Sequence, residues 1–504
     1  MRPSRWVRLW GLLFVGTATL GALACGQSSS GGANGAATQG GAGTIPGKGG
    51  GGADALPRSG AAGASNASGG TTMNMGGDAS ATGGSCTGLA CDVQSCAVNT
   101  TTTISGTVLA PNGTLPLYNV SVFVPNAAVP QFEPKIACDR CGEHDVPSVV
   151  RTTSNQSGKF ALQGAPAGKN IPLVIQVGRW RRQIVIPSVP PCVETKLEIE
   201  QTRLPRNKQE GDLPRMALIA GGGGDSLECV PRRLGIDDAE FTTSAGDGSI
   251  HLYASMGTGQ SAGISHFDAA LNGGATLPLD TQLWASPESL QKYDLLLLGC
   301  EGASRVNEKP LAARDAMYDY TVLGGRMLAM HFQSIWFSGG PTPLSTLGTW
   351  TDRRDPTMLD GPIEATVNRT FPKGAALAQW LVDNAASVTL GTLSIVGVRD
   401  NLQAVDPQLA REWLTADNPQ YRDAPKMVGL MSFTTPVGAP AAQACGRAAY
   451  ADLHVAPTIV PGVGDPPLSG FPLNCEERDL SAQEKAMAFL LFDLSSCIAP
   501  TDIP

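Results

Sequence analysis

From Thr101 to about Arg203, apolar and polar residues alternate in short runs: "TISGTVLAP", "NVSVFVPN", "GKFALQG", "PLVIQVG", "RQIVIPSV" and "TKLEIEQ". Each run is punctuated by Pro, Gly or Asn. A period of two turns one face inward and the other to water, so residues 101–205 read as a small antiparallel β-sandwich. Beyond Leu213 the pattern changes. "RMALIA", "YDLLLLG" and "RMLAMHF" are apolar throughout, as strands buried on both faces are, whereas "SLECVPRRLGI", Ala312 to Leu323 and "GAALAQWLVDNAA" carry helical spacing. "GRAAYADLHV" reads as a late strand, and "SAQEKAMAFLLFDL" as a final helix opened by a capping box at Ser481 and Glu484. Strands alternating with helices predict a doubly wound, mostly parallel, flavodoxin-like sheet over 213–498.

The first hundred residues obey neither pattern. Arg2, Arg5 and Arg8 precede an apolar run from Leu9 to Leu23 that ends in Ala22-Leu23-Ala24-Cys25, the layout of a secretory signal over 1–24. Residues 26 to 85 hold 20 glycines and no Phe, Tyr or Trp. Such a stretch cannot bury enough surface to offset its ordering entropy, so 25–100 reads as a disordered Gly/Ser/Ala-rich tether ending in a Cys cluster. As a flexible coil it reaches about 45 Å.

A formal charge of -8 with no Lys/Arg run gives no electrostatic footprint for nucleic acid. Twelve cysteines in an exported chain point to disulfides, with Cys25 set aside. The candidates are Cys86, Cys91, Cys96, Cys138, Cys141, Cys192, Cys229, Cys445, Cys475 and Cys497. Cys86, Cys91 and Cys96 match no zinc spacing and read as a stapled cap. Cys138-x-x-Cys141 followed by His144 is half of a zinc pattern without its other half, so a disulfide within that loop or to Cys192 is expected.

Three stretches resemble known families. "ALAC" at 22–25 resembles the lipobox of bacterial lipoproteins, although Ala22 stands where that family has Leu; the resemblance implies a lipid on Cys25 and anchorage in the cell envelope. Ile104-x-Gly106-x-Val108, Val120-x-Val122, Ser157-Gly158-Lys159-Phe160 and Pro166-Ala167-Gly168 resemble the carboxypeptidase-regulatory-like, transthyretin-type sandwich, which implies a spacer or binding module. "YDLLLLGCEG", the helix running into "LGGRMLAMHF" and the late "CGRAAYADLHV" resemble the class I glutamine amidotransferase-like fold, in particular its trehalose-utilisation-type branch. His331 occupies the place of that family's nucleophilic Cys, and Asp452-x-His454 reverses its His-x-Glu pair. Glutaminase activity is therefore not expected.

In open α/β sheets chemistry gathers where strands end. The glycines from Gly221 to Gly224 form neither a G-x-G-x-x-G nor a Walker motif, so no cofactor is implied and a tight turn is expected. Cys300 reads as a buried small residue or a disulfide partner, because an apolar strand end keeps a thiol protonated. His331, Asp452 and His454 are the candidate catalytic residues, either as an acid–base set or as a two-His-one-carboxylate metal site. Trp336 and Phe337 could offer a sugar ring an apolar face. His251 and His266 read as structural. The sequence favours a tethered, non-catalytic binding module with a carbohydrate or protein ligand. Its alternative is an exported hydrolase or sugar-processing enzyme using His331, Asp452 and His454.

Overall fold

A computed structural model describes residues 86–143, 145–222, 225–256, 263–351, 362–418, 426–455 and 470–504. The signal, Cys25, most of the tether and His144 lie outside the described residues. Thr87–Pro504 form one compact unit.

The alternating runs become seven strands: β1 (Thr103–Thr107), β2 (Ser121–Pro125), β3 (Ser148–Thr153), β4 (Lys159–Gln163), β5 (Gly168–Val177), β6 (Trp180–Val189) and β7 (Glu194–Lys196). They form a three-stranded sheet in the order β4-β1-β7 and a four-stranded sheet in the order β3-β2-β5-β6. All pairs are antiparallel except β1 with β7. Inward positions such as Ile104, Val122, Leu162 and Leu173 are fully buried, as the period of two requires.

Twelve further strands follow: β8 (Met216–Ala220), β9 (Phe241–Thr242), β10 (Ile250–Ala254), β11 (Leu295–Leu298), β12 (Arg326–Met330), β13 (Gly348–Trp350), β14 (Ile363–Val367), β15 (Thr392–Ile395), β16 (Leu402–Val405), β17 (Arg411–Asp417), β18 (Lys426–Thr435) and β19 (Gly446–Ala451). Ten of them make one sheet, ordered β15-β14-β17-β18-β19-β12-β11-β8-β10-β9. From β9 to β19 across the sheet every pairing is parallel, and from β19 to β15 every pairing is antiparallel. The sheet is thus mixed, not mostly parallel as the sequence suggested. The reason lies in the burial. β8, β11, β12 and β19 are buried along their whole length, whereas β14, β15 and β17 alternate buried with half-buried or exposed positions and so belong to an antiparallel wing with one wet face.

The helices fall close to expectation, at Cys229–Arg233, Leu311–Val322, Pro372–Asp383 and Ala482–Ser495. The last is opened by the Ser481 and Glu484 capping box and is buried almost all round. It lies between sandwich and sheet: Trp180 meets Phe492 at 5.5 Å between ring centroids, and Tyr118 stacks on Phe489 at 5.8 Å. The two predicted domains therefore share one continuous hydrophobic core.

Disulfides join Cys96 to Cys192, Cys138 to Cys445, Cys141 to Cys497 and Cys229 to Cys475. Cys86 and Cys91 are also disulfide-bonded. The C-x-x-C loop pairs neither internally nor with Cys192, as had been expected. It reaches instead across to the α/β segment, and parallel bridging of Arg140 with Ile498 brings Cys141 to Cys497. Closing loops of 307 and 356 residues removes much freedom from the unfolded chain. The double variant Cys141→Ser/Cys497→Ser should lose about 2–4 kcal/mol of stability in urea unfolding. No shift of the midpoint would show that the loop is held without its covalent link.

Candidate functional site

Four adjacent parallel strands, β8, β11, β12 and β19, end on the same edge, and the loops after them build the site. The chain leaves β8 toward β10 on one side and later returns to β11 on the other, so this edge is where the strand order reverses. After β11 comes Cys300, after β12 His331, and after β19 Asp452 and His454.

Cys300, His331 and His454 converge. Cys300 Sγ lies 3.3 Å from His331 Nδ1. The two imidazole rings meet edge to face with centroids 4.6 Å apart. One ligand atom from each of the three lies within 4.8 Å of the others, and all three residues are fully buried. Cys300 is not disulfide-bonded, so its reading as a disulfide partner is excluded and its reading as a buried small residue stands. It does have imidazoles beside it, which sequence could not show.

His331 stands at the sharp turn between β12 and the 3₁₀ turn His331–Ser334, with φ of 54°. A non-glycine residue in this left-handed region is strained, and such strain at a strand-to-helix turn is how folds push a functional side chain out of a sheet. Neighbours hold it there. Tyr450 Oη donates to the His331 carbonyl at 2.7 Å, while Gln333 Nε2 donates to the Gly299 carbonyl at 2.9 Å and its Oε1 accepts from Trp336 Nε1 at 2.7 Å.

Asp225 ties the loops together. Its Oδ2 accepts the Cys300 amide at 3.0 Å and its Oδ1 accepts the Val455 amide, next to His454, at 2.9 Å. Gly221 is required for the approach: a Cβ there would lie 1.9 Å from the Asp225 carbonyl oxygen. Gly221 thus meets the close approach that its sequence implied, Gly223 and Gly224 lie outside the described residues, and the aspartate after them was missed.

Asp452 does not join the two histidines. β19 stops at Ala451, so Asp452 and His454 lie beyond the strand instead of on one face of it. Asp452 Oδ2 accepts the Leu402 amide at 3.0 Å, and Oδ1 lies 2.9 Å from Tyr450 Oη. Tyr450 has one proton and faces two acceptors, the His331 carbonyl and this carboxyl. The hydroxyl is shared between them, and burial raises the Asp452 pKa to about 7 while the Tyr450 hydrogen bond acts to lower it.

Burial also holds His331 well below the usual histidine range, with the charges of His454 and Arg399 adding to the effect, so its imidazole is neutral. For His454 burial acts downward too, but Cys300 and Asp225 outweigh it and the net shift is upward. No hydrogen bond of good geometry reaches His331 Nε2 or either ring nitrogen of His454 among the described residues, and the Cys300 thiol is the group that stands beside His454. Around the trio, the Arg399 guanidinium sits 4.9 Å over the Phe332 ring, and these two side chains retain 7% and 5% exposure.

The expected aromatic platform is not available. Trp336 and Phe337 are wholly buried, Trp336 against Trp284 and Phe337 against Phe433 and Tyr450. His251 hydrogen-bonds Tyr293 and His266 lies near Ser265, both away from the trio.

Comparison with known proteins gives no family. No family model matches the chain, and no curated protein does. Among solved structures, two type II cohesin–X-dockerin complexes from Acetivibrio cellulolyticus match, a C-terminal and an N-terminal interface mutant. They are 15% and 16% identical, cover 29% of this chain and 79% and 78% of theirs, and have TM-scores of 0.14. At that score the likeness carries no argument.

Beside the trio lies a second buried polar group. Glu301 pairs with Lys309, whose ammonium lies 5.6 and 5.7 Å from the rings of Trp284 and Trp336. Burial, with the Glu301 charge adding, lifts the nearby Asp280 to about 7. A carboxyl whose folded pKa is raised holds its proton more tightly folded than unfolded, so its stability contribution is complete below pH 4 and fades as pH climbs to about 7. Compared with Asp280→Asn, the wild type should therefore lose on the order of 2–4 kcal/mol between pH 4 and pH 8 in urea unfolding. A pH-independent difference would overturn this. Asp225→Ala strands two buried amides and should cost about 2–6 kcal/mol in the same assay, whereas a cost below about 1 would show that the loops stand without it.

Proposed function

We propose that the protein is an exported hydrolase whose reaction centre is the Cys300, His331 and His454 trio. The observation that carries this reading is their convergence at the reversal point of the sheet, with His331 delivered by a strained turn. Structural histidines are satisfied by hydrogen bonds, and these three nitrogens are not. A neutral imidazole is available to take a proton or to bind an electrophile, and a thiol stands against it. The Arg399 charge is felt by His331 and His454, where it can stabilise negative charge that develops on a substrate oxygen. Substrate approaches past Phe332 and Arg399. Asp452, proposed from sequence as a catalytic residue, acts here through Tyr450 to position His331.

The disulfides are compatible with an exported chain, and no described helix is long and apolar enough to cross a membrane. A lipid on Cys25 supplies the anchor and 26–85 the reach, with the carboxypeptidase-regulatory-like sandwich as support and the amidotransferase-like, flavodoxin-like half as the enzyme. The polar chemistry of the centre, and the burial of the aromatic pair, favour acyl bonds over a stacked sugar. Purified protein should hydrolyse at least one class in a panel of p-nitrophenyl esters, anilides and glycosides, with kcat/KM falling at least about 100-fold in His331→Ala. No turnover across the panel, or turnover that His331→Ala leaves intact, would sink the proposal.

A further inference from the structure

We infer that Cys300, His331 and His454 form the ligand set of a divalent transition-metal site of zinc type. The inference rests on the reading of the trio as the reaction centre and adds what occupies it.

The donor set is one thiolate and two imidazoles, a combination of borderline softness that suits Zn(II) and leaves a fourth position for water or substrate. The Cys300–His331 separation fits, and His454 has about 1 Å at most to close. Ligand atoms about 2.0–2.3 Å from a tetrahedral ion lie roughly 3.3–3.8 Å from one another. Cys300 Sγ and His331 Nδ1 are 3.3 Å apart, and the whole set lies within 4.8 Å. Each ligand comes from the end of a different parallel strand, so the spacing is set by the sheet and not by flexible side chains.

The second observation is the unsatisfied polar atoms. Of the three fully buried imidazole nitrogens left unsatisfied among the described residues, each at a cost of about 1–3 kcal/mol, one on His454 is placed to serve an ion that His331 holds through Nδ1. A bound cation removes part of that cost and draws Cys300 into its thiolate form. The surroundings also provide what metal ligands need, since Asp225 fixes the loops of Cys300 and His454 by two backbone bonds and Tyr450 fixes the backbone of His331. Sequence analysis had placed Asp452 as the carboxylate partner of the two histidines. The third ligand is instead the thiol from the neighbouring strand.

In this arrangement the ion binds water or a substrate oxygen at its open position and acidifies or polarises it. The three side chains hold the ion, and Arg399 and Phe332 face the incoming molecule.

The full chain would be stripped with chelator, then titrated with Zn(II) against a chromophoric competitor and, separately, with Co(II). One equivalent of metal should bind, and the Co(II) form should show a sulfur-to-metal charge-transfer band. Cys25→Ser should keep that band and Cys300→Ser should lose it. His331→Ala and His454→Ala should each weaken Zn(II) binding at least about 100-fold. Should a variant fail to fold, the wild-type Co(II) band and a Zn(II)-dependent rise in melting temperature decide. Absence of stoichiometric binding, or a band that survives in Cys300→Ser, overturns the inference. Hydrolysis that persists in metal-free protein also overturns it while leaving the hydrolase reading in place. A metal-loaded but inert protein upholds the site and removes the hydrolase.

Discussion

One carboxylate between two backbone amides holds the Cys300, His331 and His454 cluster in register. Asp225 accepts from Cys300 and from Val455, and these loops leave β11 and β19, which flank β12 in the sheet. A buried carboxylate aimed at amides is stabilised only while both donors stay in place, so the two outer loops cannot drift apart without exposing a charge to an apolar interior. His331, on the strand between them, needs no such tie because its own turn and the Tyr450 bond fix it. Geometry that takes four strands to build is thus locked by groups contributed after the strands end.

The wider architecture serves that lock. Strands β8, β11, β12 and β19 are apolar on both faces and are covered on one side by the final helix, whose other side meets the sandwich. The sandwich is therefore a structural layer of the same core. Trp380 carries this further, since its indole donates to the Pro116 carbonyl at 2.8 Å across the two parts. Losing the sandwich would uncover the helix that supports the sheet.

Local signals in the sequence were legible where they had local causes. The strand runs of the sandwich, the capping box at Ser481 and the glycine turn at Gly221 each follow from residues a few positions apart. The mixed sheet was hidden because the strands of its antiparallel wing are short or bulged: "TLSI" has four residues and follows a helix as a crossover strand also does, and "REWLTAD" breaks its alternation at Trp413 and Leu414. The site was half legible. His331 and His454 were visible as rare residues after strands, but Cys300 lies 31 positions from His331 and depends on β11 and β12 pairing in parallel to meet it. Asp452 was misplaced because β19 ends at Ala451, before either Asp452 or His454, so the alternation of a strand does not carry through them. Trp336 and Phe337 follow the site so closely in sequence that only the packing shows them turned inward.

The cystine pattern bears on how the chain comes to be made. In order of emergence four disulfides pair Cys96 with Cys192, Cys138 with Cys445, Cys141 with Cys497 and Cys229 with Cys475, and none of these four joins a cysteine to its nearest successor. Oxidation of the emerging chain would join Cys138 to Cys141 first, since they are three residues apart and Cys497 has yet to arrive. Reaching the native cross-links from that pairing takes disulfide exchange as well as oxidation, and the metal-ligand candidate Cys300 must stay out of every exchange. Its burial behind the completed sheet gives that protection only once folding is done, which makes the order of folding and oxidation a condition for an intact centre.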